Sequence, residues 1–273
     1  MTTRTTPAYV HGYSTDEAHR LGDQADALAD LLHDGTAYAR GSRVLEAGCG
    51  VGAQTAHLVT RSPGVRLTAL DISASSLDLA RARVTAAAPG ADVTWRRADV
   101  RELPYENDTF DHVFVCFLLE HLADPRAALG GLRRVLRPGG TITVIEGDHG
   151  SAFFAPDSDA ARAAIDGMAR VQGALGGDAF TGRRLQPLLD GAGFADVRVE
   201  PRVVYADATR PALRDGFVRR TFVPVIAAAG DDAVAAGLAT REAWDRGIAD
   251  LYRTAEDGGT FHYTFMKATA TAP

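Results

Sequence analysis

From residue 43 to residue 148 the chain alternates short apolar runs with helix-forming segments, and few folds accommodate that alternation. "RVLEAG", "RLTALDIS", "DVTWRRADV", "FDHVFVCFLLEHL" and "TITVIEGD" read as strands. "AQTAHLVTR", "SASSLDLARARVTAAA" and "PRAALGGLRRVLR" read as helices, with Ser73 placed to cap the second. A strand followed by a helix and then another strand is the unit of a parallel sheet covered on both faces. Further on, "ADVRVEPRVVYA" and "GTFHYTFMKATA" read as two more strands, which makes seven. The expected fold is therefore a doubly wound α/β domain with a mostly parallel seven-stranded sheet.

The flanks of this pattern are helical. Ser14 and Glu17 form a capping-box pair, and Leu21, Ala25, Leu28, Leu31 and Leu32 recur at helical spacing, which predicts a helix from about 15 to 34. Residues 1–38 are assigned to an N-terminal helical cap and residues 39–273 to the core. Helical stretches at about 151–180 and 210–254 are expected to form lids over that core, the second inserted before the last strand.

Composition narrows function by exclusion. The 273 residues suffice for one large domain with a sizeable core, and 46% hydrophobic with 23% charged residues is ordinary for a globular chain. A net charge of -6 argues against a nucleic-acid partner, which needs a basic face. Cys49 and Cys116 supply neither a disulfide framework nor a zinc-binding spacing, and no set of metal ligands is apparent. "MTTRTTPAYVHGYSTDEAHR" lacks the apolar segment of a signal peptide. No stretch approaches the roughly 18 to 20 apolar residues of a membrane span, so the expected location is the cytoplasm.

The stretch "VLEAGCGVGAQT" breaks a buried strand into Gly48, Gly50 and Gly52. Glycine is needed where φ is positive or where a ligand meets the backbone. In a doubly wound sheet, ligands bind at the carboxyl ends of the strands. Asp71 ends the next strand, 23 residues after Gly48, where a carboxylate can accept both hydroxyls of an adenosine ribose. The run from Gly48 is G-C-G-V-G-A, with Ala53 in the sixth place, so a nicotinamide dinucleotide stays open beside other nucleoside cofactors. A tight turn with no ligand is the remaining alternative.

These motifs together resemble the class I S-adenosylmethionine-dependent methyltransferases, in particular their small-molecule, type 11 or UbiE-like group. "VLEAGCGVG" is similar to their first motif and "ALDIS" to the acidic second. "RRADVRELPYENDTFDHVFVCFLLEHL" and "LRRVLRPGGTITVIEGD" resemble the later ones, so the likeness covers roughly residues 40–150. It implies a Rossmann-like sheet and S-adenosyl-L-methionine as cofactor. Glu46, Gly48 and Gly50 would then wall the methionine part, with Gln54 within reach. Asp71 would hold the ribose, with Ile72 on the adenine. Asp99 would accept from the adenine amino group, Val100 would lie beside the ring, and Phe117 near the sulfonium. "YVHGYSTDEAHRL" resembles an N-terminal cap in which Tyr13 covers the methionine end and Arg20 pairs with its carboxylate. Each has a plainer reading: Glu46 as a loop cap, Asp99 as a surface N-cap, Phe117 as core.

Methyl transfer to a phenol, hydroxyl or activated carbon also needs a base with a pKa near neutral. His121, after the fourth strand, and His149, after the fifth, are the catalytic candidates, since imidazole titrates in that range. His121 is equally open to a structural role at a helix start. Phe153, Phe154, Phe217, Phe222, Trp244 and Tyr252 lie in the lids and point to a fairly apolar small-molecule acceptor, or else to ordinary core. The acceptor atom, O, N or C, is not legible. A non-catalytic S-adenosylmethionine-binding protein and a nicotinamide oxidoreductase are the alternatives. The N-terminal helix is a candidate for packing on a second copy of the chain.

Overall fold

A computed structural model describes residues 25–273. Tyr13, Ser14, Glu17 and Arg20 lie outside the described residues, and the N-terminal helix, α1, is described over residues 25–33. The core then runs β1 (Arg43–Ala47), α2 (Ala53–Arg61), β2 (Arg66–Asp71), α3 (Ala74–Ala87), β3 (Asp92–Arg97), β4 (Phe110–Cys116), α4 (Pro125–Val135) and β5 (Leu136–Ala155). Next come α5 (Asp159–Ala174), α6 (Leu185–Gly191) and β6 (Ala195–Ala206), the helices α7 to α10, and β7 (Thr260–Thr271). The seven strands lie in the order β3-β2-β1-β4-β5-β7-β6. Strands β1 to β5 pair in parallel, and β7 is antiparallel to both its neighbours. The strand order reverses between β1 and β4, which opens a crevice at their carboxyl ends.

Burial explains the pattern. Central β1 is covered on both faces, so Val44, Leu45 and Ala47 are all buried, and Glu46 is buried among them as the one charged residue. One face packs Val44, Phe114 and Ile145 against Leu28 and Leu32 of α1, Leu58 of α2 and the helices beyond β5. The other packs Leu45, Val113 and Val144 against Leu129 and Leu132 of α4 and Leu185 and Leu189 of α6. Strand β6 is a sheet edge, which tolerates Pro201 because only one side needs ladder hydrogen bonds. Ser73 caps α3 by accepting from the Ser76 amide at 3.2 Å.

The first lid expectation needs correction, and the second stretch is helical but broken into pieces. Residues 151–155 belong to β5, because Phe153, Phe154 and Ala155 pair with His262, Phe261 and Thr260 of β7 after a register break at Asp148. The helical part of that lid starts at α5. The second lid is broken into α7 (Pro211–Leu213), a nine-residue π-helical segment (Arg214–Phe222), α8 (Val223–Ala228), α9 (Gly230–Ala235) and α10 (Arg241–Arg253). The Thr221 hydroxyl donates to the Gly216 carbonyl at 2.8 Å within the π segment. Helix α10 packs on α5, with Gly247 set against the Ala160 carbonyl so closely that a side chain would collide.

Lys267 is the only lysine of the chain, and it holds α1 to the sheet. From β7 its ammonium donates to the Leu32 carbonyl at 3.2 Å, the Asp34 carbonyl at 2.5 Å and the Thr36 hydroxyl at 2.6 Å. The Leu32 and Asp34 carbonyls lie at and just past the C-terminal end of α1, where a cation also meets the favourable end of the helix dipole. Side-chain pairs Gln54 with His33, His57 with Asp26 and Arg61 with Asp30 tie α1 to α2. Stranding a buried acceptor costs about 1–3 kcal/mol. Replacing Lys267 with Met is therefore expected to lower the unfolding free energy by about 3 kcal/mol in a urea titration. Unchanged stability would mean the helix end is satisfied by other means.

Candidate active site

The turn after β1 is built by three glycines with different neighbours. A methyl group on Gly48 would come within 2.8 Å of the Leu118 side chain. One on Gly52 would meet the Ala80 Cα of α3 at 2.7 Å, so that glycine lets α2 and α3 approach. One on Gly50 would meet nothing within 4 Å, so its Cα faces open space. The backbone at Gly50 and Gly52 has φ of 50° and 75°, the left-handed region that glycine adopts at little cost.

Asp71 locks this turn. Its Oδ2 accepts from the Gly50 amide and its Oδ1 from the Ser73 amide, both at 2.8 Å. Burial pushes its carboxyl up, and the backbone amides of Ser73 and Gly50 oppose that shift. A carboxylate oxygen accepts more than one hydrogen bond, so both oxygens keep a lone pair for a ligand. Ile72 follows, half-buried, with its carbonyl taking a hydrogen bond from Arg97. Glu46 is buried beneath the turn, and burial, then Asp71, pushes its carboxyl up to about 8. Its Oε2 has no hydrogen-bond partner.

The other expected residues sit around the same sheet edge with local partners of their own. Gln54 accepts from His33 Nε2 at 2.7 Å, so its side-chain oxygen is turned to α1. His33 stacks on Phe114, and burial lowers it to about 4, so the ring is neutral. Asp99 caps the turn after β3, accepting from the Arg101 amide at 2.9 Å and pairing with the Arg101 guanidinium at 2.6 Å. Val100 is buried beside it. Phe117, just past β4, is a non-glycine residue with φ of 55°, and its ring meets Phe265 at 5.3 Å. Strain of that kind persists where surrounding structure holds it, often at functional sites.

His121 and His149 belong to a wider cluster that the sequence did not reveal. His121 Nε2 lies 3.6 Å from Glu120 Oε1. The His149 ring meets Tyr263 at 5.5 Å and Phe222 at 5.7 Å. Tyr263 is buried with its hydroxyl beside Gly147. Burial, then Glu120, Asp148 and Glu146, raise that hydroxyl far above its ordinary range. Glu146 Oε1 accepts from the Leu118 and Leu119 amides at 3.0 and 2.7 Å, and burial with Glu120 raises its carboxyl well above the usual carboxylate value. Arg183 forks onto Asp148 at 2.7 and 2.9 Å. Strand alternation in "GTFHYTFMKATA" places Phe261, Tyr263 and Phe265 on one face, the signal by which Tyr263 was findable. Among the lid aromatics, Phe217 and Phe222 join this cluster, Trp244 is buried, and Phe153 faces outward against His262.

Residues 45–144 match the model of a methyltransferase domain. The likeness is to a methyltransferase domain and runs from β1 to the middle of β5. Methyltransferase GfsG of Streptomyces halstedii is 30% identical over 138 residues, 50% of this chain and 49% of that protein. The 27-O-demethylrifamycin SV methyltransferase of Amycolatopsis mediterranei is 33% identical over 134 residues, 49% of each chain. The chain spans about half the length of the curated relatives it matches. The fold is shared with a phosphoethanolamine N-methyltransferase of Haemonchus contortus solved with S-adenosyl-L-methionine. Its TM-score is 0.57 at 19% identity, covering 91% of this chain and 52% of that one. No helix among the described residues is long and apolar enough to cross a membrane, and none of their His, Cys, Asp and Glu groups could hold a metal.

Two outcomes follow for the methyltransferase domain. Gly52→Ala should destabilise by about 2–4 kcal/mol through collision with the α3 backbone and left-handed strain. Gly50→Ala should cost only the roughly 1–2 kcal/mol of the strain. Equal losses in urea titrations would contradict the division of roles. Glu46 has a folded pKa of about 8 against 4.5 unfolded, so its contribution to stability is full below pH 4.5 and lost as pH rises through 8. Unfolding of the ligand-free protein across that window should lose on the order of a few kcal/mol relative to Glu46→Gln.

Proposed function

We propose that the protein transfers a methyl group from S-adenosyl-L-methionine to a small, fairly apolar organic acceptor of secondary metabolism. The observation that carries this reading is the open face of Gly50, pinned by an Asp71 carboxylate that still has lone pairs to offer. Those residues fit the cofactor: Asp71 would hold the ribose hydroxyls, Gly48 and Gly50 would let the backbone approach, and Glu46 would lie under the charged methionine end. Asp99, Ile72 and Val100 would line the adenine, and Phe117 the far side. Bound, the cofactor supplies a methyl already activated on a positive sulfur.

The chain's own work is then placement and proton handling. Aligning the acceptor with the methyl can supply several kcal/mol, up to roughly 7 to 11 in ideal cases. His149, walled by Tyr263 and Phe222, and His121, beside Glu120, are the groups to receive an acceptor proton. Asp148, held by Arg183, fixes the strand from which His149 projects. The aromatic wall of Phe217, Phe222, Tyr263 and Phe265 suits an apolar acceptor. A relative named for a rifamycin precursor supports acceptors of that kind.

Calorimetric titration with S-adenosylmethionine and with NAD tests the cofactor. Binding of the first alone, weakened about 100-fold or more in Asp71→Ala, is expected from the loss of two charged hydrogen bonds. Binding of NAD instead would return the turn to the dehydrogenases. With an acceptor in hand, His149→Ala should lower kcat by about 100-fold to 10,000-fold while leaving cofactor affinity unchanged. Equal loss of both would make His149 structural.

A further inference from the structure

Glu46 differs from the other carboxylate of the turn. Asp71 has a backbone amide on each oxygen, whereas Glu46 Oε2 has no donor in good hydrogen-bond geometry; the nearby Thr55 hydroxyl opposes the effect of burial on the Glu46 carboxyl only in part. The ionisable groups that share its field come from every side. They are Tyr38 before β1, Cys49 in the glycine turn, Asp71 at the end of β2 and Cys116 at the end of β4. All four are acids, and Thr55 of α2 brings only a hydroxyl. Among the described residues, no cation is among the groups that act on it.

A buried carboxylate with no counter-charge is unfavourable, so in such a place the group keeps its proton. With its carboxyl pushed up to about 8 by burial and then by Asp71, Glu46 is a neutral acid at pH 7 in the ligand-free protein. Yet it lies two residues before Gly48, under a turn whose Gly50 opens outward. A positively charged ligand brought there supplies the missing counter-ion. The orphan oxygen then becomes an acceptor at full charge, with no strand or helix having to move.

We propose that Glu46 is the proton-linked counter-charge of this site: a neutral acid in the ligand-free protein, it releases its proton to solvent and becomes a carboxylate when a ligand carrying net positive charge binds. The inference rests on the S-adenosylmethionine reading above, since that cofactor carries a sulfonium and an ammonium against one carboxylate. It makes Glu46 a specificity-determining residue, favouring a cationic ligand over a neutral nucleoside. The favour grows with pH until the ligand-free Glu46 is itself ionised.

The test is titration calorimetry at pH 6.5 in buffers of different ionisation enthalpy, which counts protons released per ligand bound. Wild-type protein should release about one proton per S-adenosylmethionine, and its Kd should tighten about tenfold per pH unit from pH 6 to 7.5 and flatten above 8. Glu46→Gln should bind without that release. 5′-Methylthioadenosine keeps the nucleoside and the sulfur but is uncharged, and it should release none from the wild type. Release that persists in Glu46→Gln, or that 5′-methylthioadenosine also elicits, assigns the proton to another group such as Asp71 and overturns the inference. A flat wild-type pH series with tight binding does the same, even if the variant does not fold, and leaves the proposed activity standing. Failure of the wild type to bind S-adenosylmethionine at any pH overturns both.

Discussion

One carboxylate holds the carboxyl edge of the sheet together. Asp71 sits at the end of β2 and grips the Gly50 amide with one oxygen and the Ser73 amide with the other. It thereby ties the turn after β1 to the entry of α3, pieces that the chain otherwise connects only through α2 and β2. The turn is also tied to β2 by the Gly48 and Cys49 amides, which donate to the Leu70 carbonyl at 2.8 and 3.0 Å. Glycines in left-handed conformations carry high entropy in the unfolded chain, and α2 starts without a side-chain cap. The Asp71 bonds add stiffness, and each of its oxygens keeps a lone pair.

How much of this was legible depends on the range of the interaction. The central parallel strands were readable because burial on both faces writes itself as a short, mostly apolar run, as in Val44 to Ala47, where Glu46 alone is charged. The Ser73 cap was readable because it spans three residues. The extension of β5 was not: "GDHGSAFFA" carries two glycines and polar residues, and it is strand only because β7 lies alongside. The π-helical segment was likewise invisible, since its composition is that of any helix.

The site divides in the same way. Spacing singled out Gly48, Gly50 and Asp71 but could not tell that each glycine faces something different. Gln54 illustrates the limit: its position in the first turn of α2 says nothing of the hydrogen bond that its oxygen accepts from His33 of α1. Tyr263, Glu146 and Arg183 come from separate elements and meet only on folding, so single-sequence reasoning had no handle on them beyond strand alternation. The lid aromatics, read as a pocket or else ordinary core, divide by element: Phe217 and Phe222 of the π-helical segment join the inner cluster, while Phe153 of β5 faces outward against His262.

The Lys267 bond has a consequence for the order in which the molecule forms. The carbonyls at the C-terminal end of α1 meet an ammonium 235 and 233 residues further along. Contacts of such sequence separation carry a high loop-closure entropy, because nearly the whole chain must be arranged before they close. The C-terminal end of α1 is therefore held by Lys267 only with the last strand in place between β5 and β6, so the seat of α1 on α2 is tied to completion of the sheet.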